Sequence, residues 1–125
     1  MSARSVTREQ PLVAVVGTVP LVCEALDAVL DEIAEVRFFP AERGATDGLL
    51  RELVPDAVVV DNAEDAAAAE AFAREWNAPL VHLMLREQRM RVLGETGWEE
   101  REDGEVSPEA IRNVLVGGLF GRQAA

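Results

Sequence analysis

The sequence predicts an α/β fold in three layers: a mostly parallel sheet between helices, with a C-terminal β-hairpin and a final helix. Three observations carry this. Continuous apolar runs at 12–16 and 57–60, and a mostly apolar run at 80–85 that contains His82, read as the buried strands of a parallel sheet. Segments of helical character separate them, and that alternation is the signature of βαβ units. After Leu85 the pattern changes: 89–93 alternates, Gly94-Glu95-Thr96-Gly97 reads as a tight turn, and 98–102 follows.

Taken in order, residues 1–10 are polar and are expected to be a disordered lead-in to a single domain over 11–120, with 121–125 as a tail. Leu12 to Val16 is the first strand, closed by Gly17. Pro20 opens the first helix, where a missing N–H costs nothing. Val22, Leu26, Val29 and Ile33 share one of its faces. Val36 to Phe39 is a short second strand closed by Pro40. A weaker helix spans 44–54 around Leu49, Leu50 and Leu53, with Gly48 reducing its propensity. Pro55-Asp56 turns into the third strand, Ala57 to Val60, which ends at Asp61. Ala63 to Trp76 is the strongest helix by propensity, and Asn77-Ala78-Pro79 ends it. Leu80 to Leu85 is the fourth strand. Ser107 is a good N-cap for the last helix, with Pro108 at its first position and Glu109 favourable to the dipole. Ile111, Val114, Leu115 and Leu119 form its apolar face.

Composition narrows the function. The chain has 125 residues, 49% hydrophobic and 28% charged, enough for one core. Its 12 basic residues are all arginine and face 23 acidic ones, a net charge of -11. That balance opposes a nucleic-acid partner. No apolar run approaches the roughly 18 residues that span a bilayer, and the first ten residues lack a signal peptide's apolar stretch. The single cysteine, Cys23, makes no internal disulfide. A cytoplasmic protein without membrane contact is the expectation.

Over 12–85 the chain resembles the receiver domains of two-component response regulators. Residues 15–26 (VVGTVPLVCEAL) look like their first strand, acidic loop and first helix. Pro55-Asp56-Ala57-Val58-Val59-Val60-Asp61 looks like the third strand ending in the phosphoacceptor aspartate, and 79–84 (PLVHLM) like the fourth. The resemblance implies a flavodoxin-type strand order, 2-1-3-4-5. It also implies which chemistry is absent. A receiver holds a divalent metal with acidic residues after the first strand, since hard cations want several oxygens; here those places are Gly17 and Thr18. The hydroxyl residue after the fourth strand is Met84, and the lysine that pairs with phosphate has no counterpart, because the chain has no lysine. Only Asp61 remains, and alone it has little with which to stabilise phosphoryl transfer. The implied protein is a pseudo-receiver: not an enzyme, without cofactor or metal, independent of phosphorylation, and a homodimer or the partner of another signalling protein.

Two sets of residues follow as candidates. The alternative function, a small-ligand-binding regulatory domain, would use the strand C-terminal rim at Gly17, Thr18, Asp61 and Arg86, because a loop entering a helix offers free N–H groups. Asp61 has the structural reading as well, a carboxylate satisfied by backbone amides at a helix start. An interface would use Arg89, Arg91, Trp98, Glu100 and Leu119. A two-residue turn at Glu95-Thr96 sets Arg91 opposite Glu100, Arg89 opposite Glu102 and Trp98 opposite Leu93, so the charges also neutralise one another. Trp98 is then either a lid over the core or a partner anchor. His82, inside an apolar strand with no metal-ligand companions, reads as a packed core residue, and Cys23 as structural or incidental. Gly117-Gly118 permits close backbone approach, to the sheet or to a second subunit.

Overall fold

The computed structural model describes residues 10–42, 44–101 and 106–124, the side chains of Arg101 and of 119–124 excepted. All but Gln10 of the lead-in expected at residues 1–10, and the partner expected for Arg89, Glu102, lie outside them. The elements are β1 (Leu12–Gly17), α1 (Pro20–Leu30), β2 (Glu35–Pro40), α2 (Thr46–Leu53), β3 (Ala57–Val60), α3 (Ala63–Trp76), β4 (Leu80–Met84), β5 (Arg89–Gly94), β6 (Gly97–Arg101) and α4 (Pro108–Ala124). Together they form an α/β structure with one six-stranded mixed sheet, ordered β2-β1-β3-β4-β5-β6.

β1 pairs in parallel with β2 and β3, and β3 with β4. β5 runs antiparallel to both β4 and β6. The reversal has a simple cause. Only Leu85 to Gln88 joins β4 to β5, and a parallel partner needs a crossover of about a dozen residues or more. Gln88, at φ 54, completes the reversal.

β1 and β3 are buried along their whole length. Alternate side chains serve opposite faces, as the pleat dictates. Val13, Val15, Val59, Val81 and Leu83 meet Leu26 and Leu30 of α1 and Ile111 and Leu115 of α4. Ala14, Val16, Val58, Val60 and Leu80 meet Leu50 of α2 and Ala69 and Phe72 of α3. Each helix pair is thus fixed by one half of the strand pattern. Arg112 Nε adds a bond from α4 to Val29 O on α1, 3.2 Å. At the opposite end of the sheet, Asp56 Oδ2 accepts from Leu12 N at 2.8 Å and ties the start of β3 to that of β1.

The ends have local causes. Asn62 caps α3 by accepting from Asp65 N at 2.8 Å, and Asn77 closes it in the left-handed region, φ 53. Ser107 Oγ accepts from Ala110 N at 3.1 Å at the start of α4. α2 begins at Thr46, two residues later than the sequence suggests, because Gly44 takes φ 77 and belongs to the turn. The backbone of α4 runs to Ala124, so the expected tail at 121–124 is helical; no proline stops it. Among the described residues no helix is long and apolar enough to cross a membrane.

The two adjacent glycines of α4 differ. A Cβ on Gly118 would lie 2.6 Å from Pro79 Cγ, whereas one on Gly117 would meet nothing within 4 Å. Gly118 therefore admits the close approach of α4 to the β4 entrance. Gly117→Ala should stabilise the protein by about 0.5–1 kcal/mol through helix propensity. Gly118→Ala should destabilise it, because the rigid proline ring cannot yield. Urea unfolding of the two variants checks the opposite signs.

Candidate functional site

The strand C-terminal rim is organised by Asp61. Its Oδ2 accepts from Thr18 N and Val19 N, each at 3.0 Å, and its Oδ1 lies 3.1 Å from Thr18 N. Thr18 Oγ1 adds a longer bond at 3.4 Å, and Asn62 Nδ2 donates to Oδ1 at 3.2 Å. Val19, the residue before α1, makes no side-chain cap of its own. A carboxylate from β3 thus accepts from the amides that lead into α1. Gly17 makes this possible: a Cβ there would fall 2.4 Å from Asp61 Oδ1. The carboxylate occupies the space that a side chain at 17 would need.

Beyond Asp61, Asn62 Nδ2 also donates to Asp65 Oδ2 at 2.7 Å, and Thr46 Oγ1 to Asp65 Oδ1 at 2.6 Å. Asp65 is buried, and these two donors with its own amide bond fasten α2 to α3. Arg86 lies in the link after β4, exposed, on the wall of an open cleft of about 500 Å³ that Thr18, Asp61, Asn62 and His82 also line. The rim candidates Gly17, Thr18 and Asp61 are therefore in mutual contact, and Arg86 shares their cleft. Among the described residues no group of three or more potential metal ligands occurs.

The second constellation is a stack on the α3 face of β4, β5 and β6. The register places His82 beside Arg91, Arg91 beside Glu100 and Leu93 beside Trp98. Arg91 Nη2 lies 2.8 Å from His82 Nδ1. A guanidinium only donates, so Nδ1 accepts and the ring is neutral with its proton on Nε2. Burial, then Arg91, pushes the His82 pKa below the ordinary histidine value. The Arg91 guanidinium stands 4.6 Å from the Trp98 ring centroid, and His82 meets the same indole edge-on at 6.1 Å. Trp98 Nε1 donates to Glu70 Oε1 on α3 at 3.1 Å, and Arg74 Nε holds the other oxygen at 3.0 Å. Arg74 first, then Trp98, lowers the Glu70 pKa. Trp98 is half-buried and packs against the α2–α3 core.

Of the interface candidates, Arg91 and Trp98 are joined in this stack. Arg89 and Glu100 form an ion pair at 3.0 Å on the same face. Leu119 belongs to α4, past the described side chains. Cys23 is half-buried, and burial, Asp27 and Glu24 all push its thiol pKa up. It is a poor nucleophile for that reason.

A feature that sequence reasoning missed lies on the opposite face of the sheet. Between α1 and the start of α4 runs an apolar groove of about 280 Å³, lined by Leu21, Val22, Leu85, Val106, Pro108 and Ile111 among others. Leu21 is 67% exposed and Leu85 38%. The signal was present in Pro20-Leu21, an apolar residue off the α1 face that Val22, Leu26 and Val29 define. Its meaning depended on how far α4 stands from α1, which no local pattern states. Compared with known protein families, characterised proteins and solved structures, the chain gives no match.

Asp61→Ala should cost about 0.5–2 kcal/mol, the range for losing a helix-start acceptor. Gly17→Ala should also destabilise, but less in an Asp61→Ala background, where the added methyl finds room. A double-mutant cycle in urea reads that coupling; additive losses would separate the two residues.

Proposed function

We propose that the chain is a non-catalytic regulatory interaction module, built on a receiver-like sheet of flavodoxin-type order and working without phosphorylation. The observation that carries this is the use of Asp61. Its carboxylate serves the amides of Thr18 and Val19, and it fills the space over Gly17 where a receiver would place an acidic metal ligand. An attacking oxygen needs free lone pairs and a cation to neutralise the incoming charge. Asp61 has several amide partners, and the chain offers no lysine.

The docking surface in this reading is the apolar groove between α1 and α4, and its occupant is a partner helix with an apolar stripe and basic flanks. An amphipathic helix laid into an apolar groove is a recurring recognition mode. The charge around the groove selects the flanks. Among the described residues, Glu24, Asp27 and Glu109 are exposed and adjoin lining residues in sequence, against exposed Arg86 and half-buried Arg112, whose Nε is engaged by Val29 O. The net charge of -11 also opposes a second copy in that position.

A specific observation favours a second reading, a small-ligand-binding domain. The open cleft beside Asp61 combines the Thr18 hydroxyl, the Asn62 amide, His82 and Arg86. Ligands of α/β sheets bind at this edge. A thermal-shift screen separates the two readings, because a specific small ligand stabilises the native state.

Incubation with a small-molecule phosphodonor and magnesium should leave the intact mass unchanged. A stoichiometric adduct that Asp61→Asn abolishes would refute the module's independence of phosphorylation. A synthetic helix with leucines at i, i+3 and i+7 and flanking lysines should bind, and its glutamate-flanked counterpart should not. Leu21→Asp should weaken binding by about 2 kcal/mol, the loss of a hot-spot contact, and leave the unfolding midpoint unchanged. Sedimentation of the protein alone tests for a self-associated dimer. Association lost in Leu21→Asp would make a second copy the occupant.

A further inference from the structure

The stack of His82, Arg91 and Trp98 has a property independent of any partner. The bond between His82 and Arg91 exists in one protonation state only. Arg91 donates, so Nδ1 must hold a free lone pair. Protonation at Nδ1 removes the acceptor and sets an imidazolium against a guanidinium. His82 is only 5% exposed, so its ring cannot turn out to water without disturbing β4. Arg91 is equally constrained: its Nε is buried and has no hydrogen-bond partner. It is held by His82 on one side and by the Trp98 ring on the other.

We propose that His82 is an acid-sensitive latch: protonation at Nδ1 displaces Arg91 and loosens the antiparallel pair β5–β6 from α3. The displacement travels by contact. Arg91 lies over Trp98, and Trp98 is the residue that joins β6 to α3 through Glu70. Loosening it uncovers the part of the α2–α3 core that Leu93 and Trp98 cover.

The charged groups around the ring set the direction. Arg91 on β5 opposes a second positive charge, as does burial. Asp61 at the end of β3 and Glu87 in the β4–β5 link favour it. On α3, Glu70 is already engaged by Trp98 and Arg74. On the strand face, Arg89 and Glu100 are paired with each other. Burial and Arg91 prevail, so the folded state prefers the neutral ring. A histidine whose pKa is lowered by folding leaves stability intact above its unfolded value of about 6.5. Stability then falls as the pH drops through that value toward the folded one, because the unfolded chain binds the proton more readily.

The chain has one histidine, so its ring resonances in a proton NMR titration need no assignment. The same spectra show the indole N–H signals of Trp76 and Trp98, distinguished with Trp76→Phe. Between about pH 7.5 and pH 5, the His82 ring should titrate below the ordinary histidine midpoint. The Trp98 indole signal should shift or broaden along the same curve. In His82→Gln, whose amide oxygen still accepts from Arg91 but does not titrate, the Trp98 signal should stay constant. In Arg91→Gln the ring midpoint should move up, and the Trp98 change should lose its correspondence with it. A ring that titrates at or above the ordinary value overturns the latch. So does a Trp98 signal that ignores the ring, or one that changes equally in His82→Gln. If His82→Gln does not fold, the Arg91→Gln titration decides alone: an unmoved midpoint overturns the proposal.

Discussion

A single carboxylate joins the two turns on which the geometry of the rim depends. Asp61 leaves β3 and accepts from the amides of Thr18 and Val19, which lead from β1 into α1. Neighbouring parallel strands end here side by side, with Val16 paired to Val60, so the contact is short and direct. It also carries energy that nothing local supplies, since Val19 provides no side-chain cap and Pro20 has no N–H to satisfy. The direction in which α1 leaves the sheet is thereby coupled to β3. That direction sets one wall of the groove whose other wall is the start of α4.

The same contact constrains chemistry. A carboxylate that accepts several backbone and side-chain donors is held in place and partly neutralised. A phosphoryl acceptor needs the opposite, an exposed oxygen beside a cation. Gly17 shows that the difference is built into the packing, because a side chain at that position and Asp61 in its present place exclude each other. Restoring a metal-binding acid at 17 would therefore displace the very residue it was meant to serve. The pseudo-receiver reading proposed above rests on this exclusion at Gly17.

The strands and helices from Leu12 to Met84 were largely legible because proline, glycine or asparagine stands at or near at least one end of each; the far end of α1 was not, since the helix stops at Leu30 although Ile33 continues its apolar spacing. Asn77 marks the end of α3 in both sequence and structure, whereas the cap at its start, Asn62, is seen in the structure. The neighbourhood of Asp61 was partly legible, since an aspartate between a strand and a helix has backbone amides near it. That the amides belong to α1 rather than to α3 is a tertiary fact set by the β1–β3 register. A two-residue turn at Glu95-Thr96 puts Trp98 beside Leu93, and the observed pairing has that register. The Glu70 partner of Trp98 lies 28 residues away in sequence, and no local pattern could name it. The His82–Arg91 bond was hidden for a different reason. A lone histidine in an apolar strand looks the same whatever stands across from it, and its neighbour is decided by the pairing of β4 with β5.

The short link after β4 ties these observations together. It is too short for a helical crossover, so the chain must turn back and extend the sheet with β5 and β6. Two consequences follow on opposite faces. On the α3 face, the added strands reach the flank of a helix already in place, and Trp98, Arg91 and His82 close the gap with aromatic and charged contacts. On the α1 face, among the described residues, no further helix enters between β4 and α4, and Leu85 and Leu21 remain exposed at the groove. One economy in chain length thus closes one side of the sheet and leaves the other open. The closed side is held by a buried histidine that accepts from an arginine stacked on Trp98. The open side is an apolar groove, the surface proposed above for a partner helix.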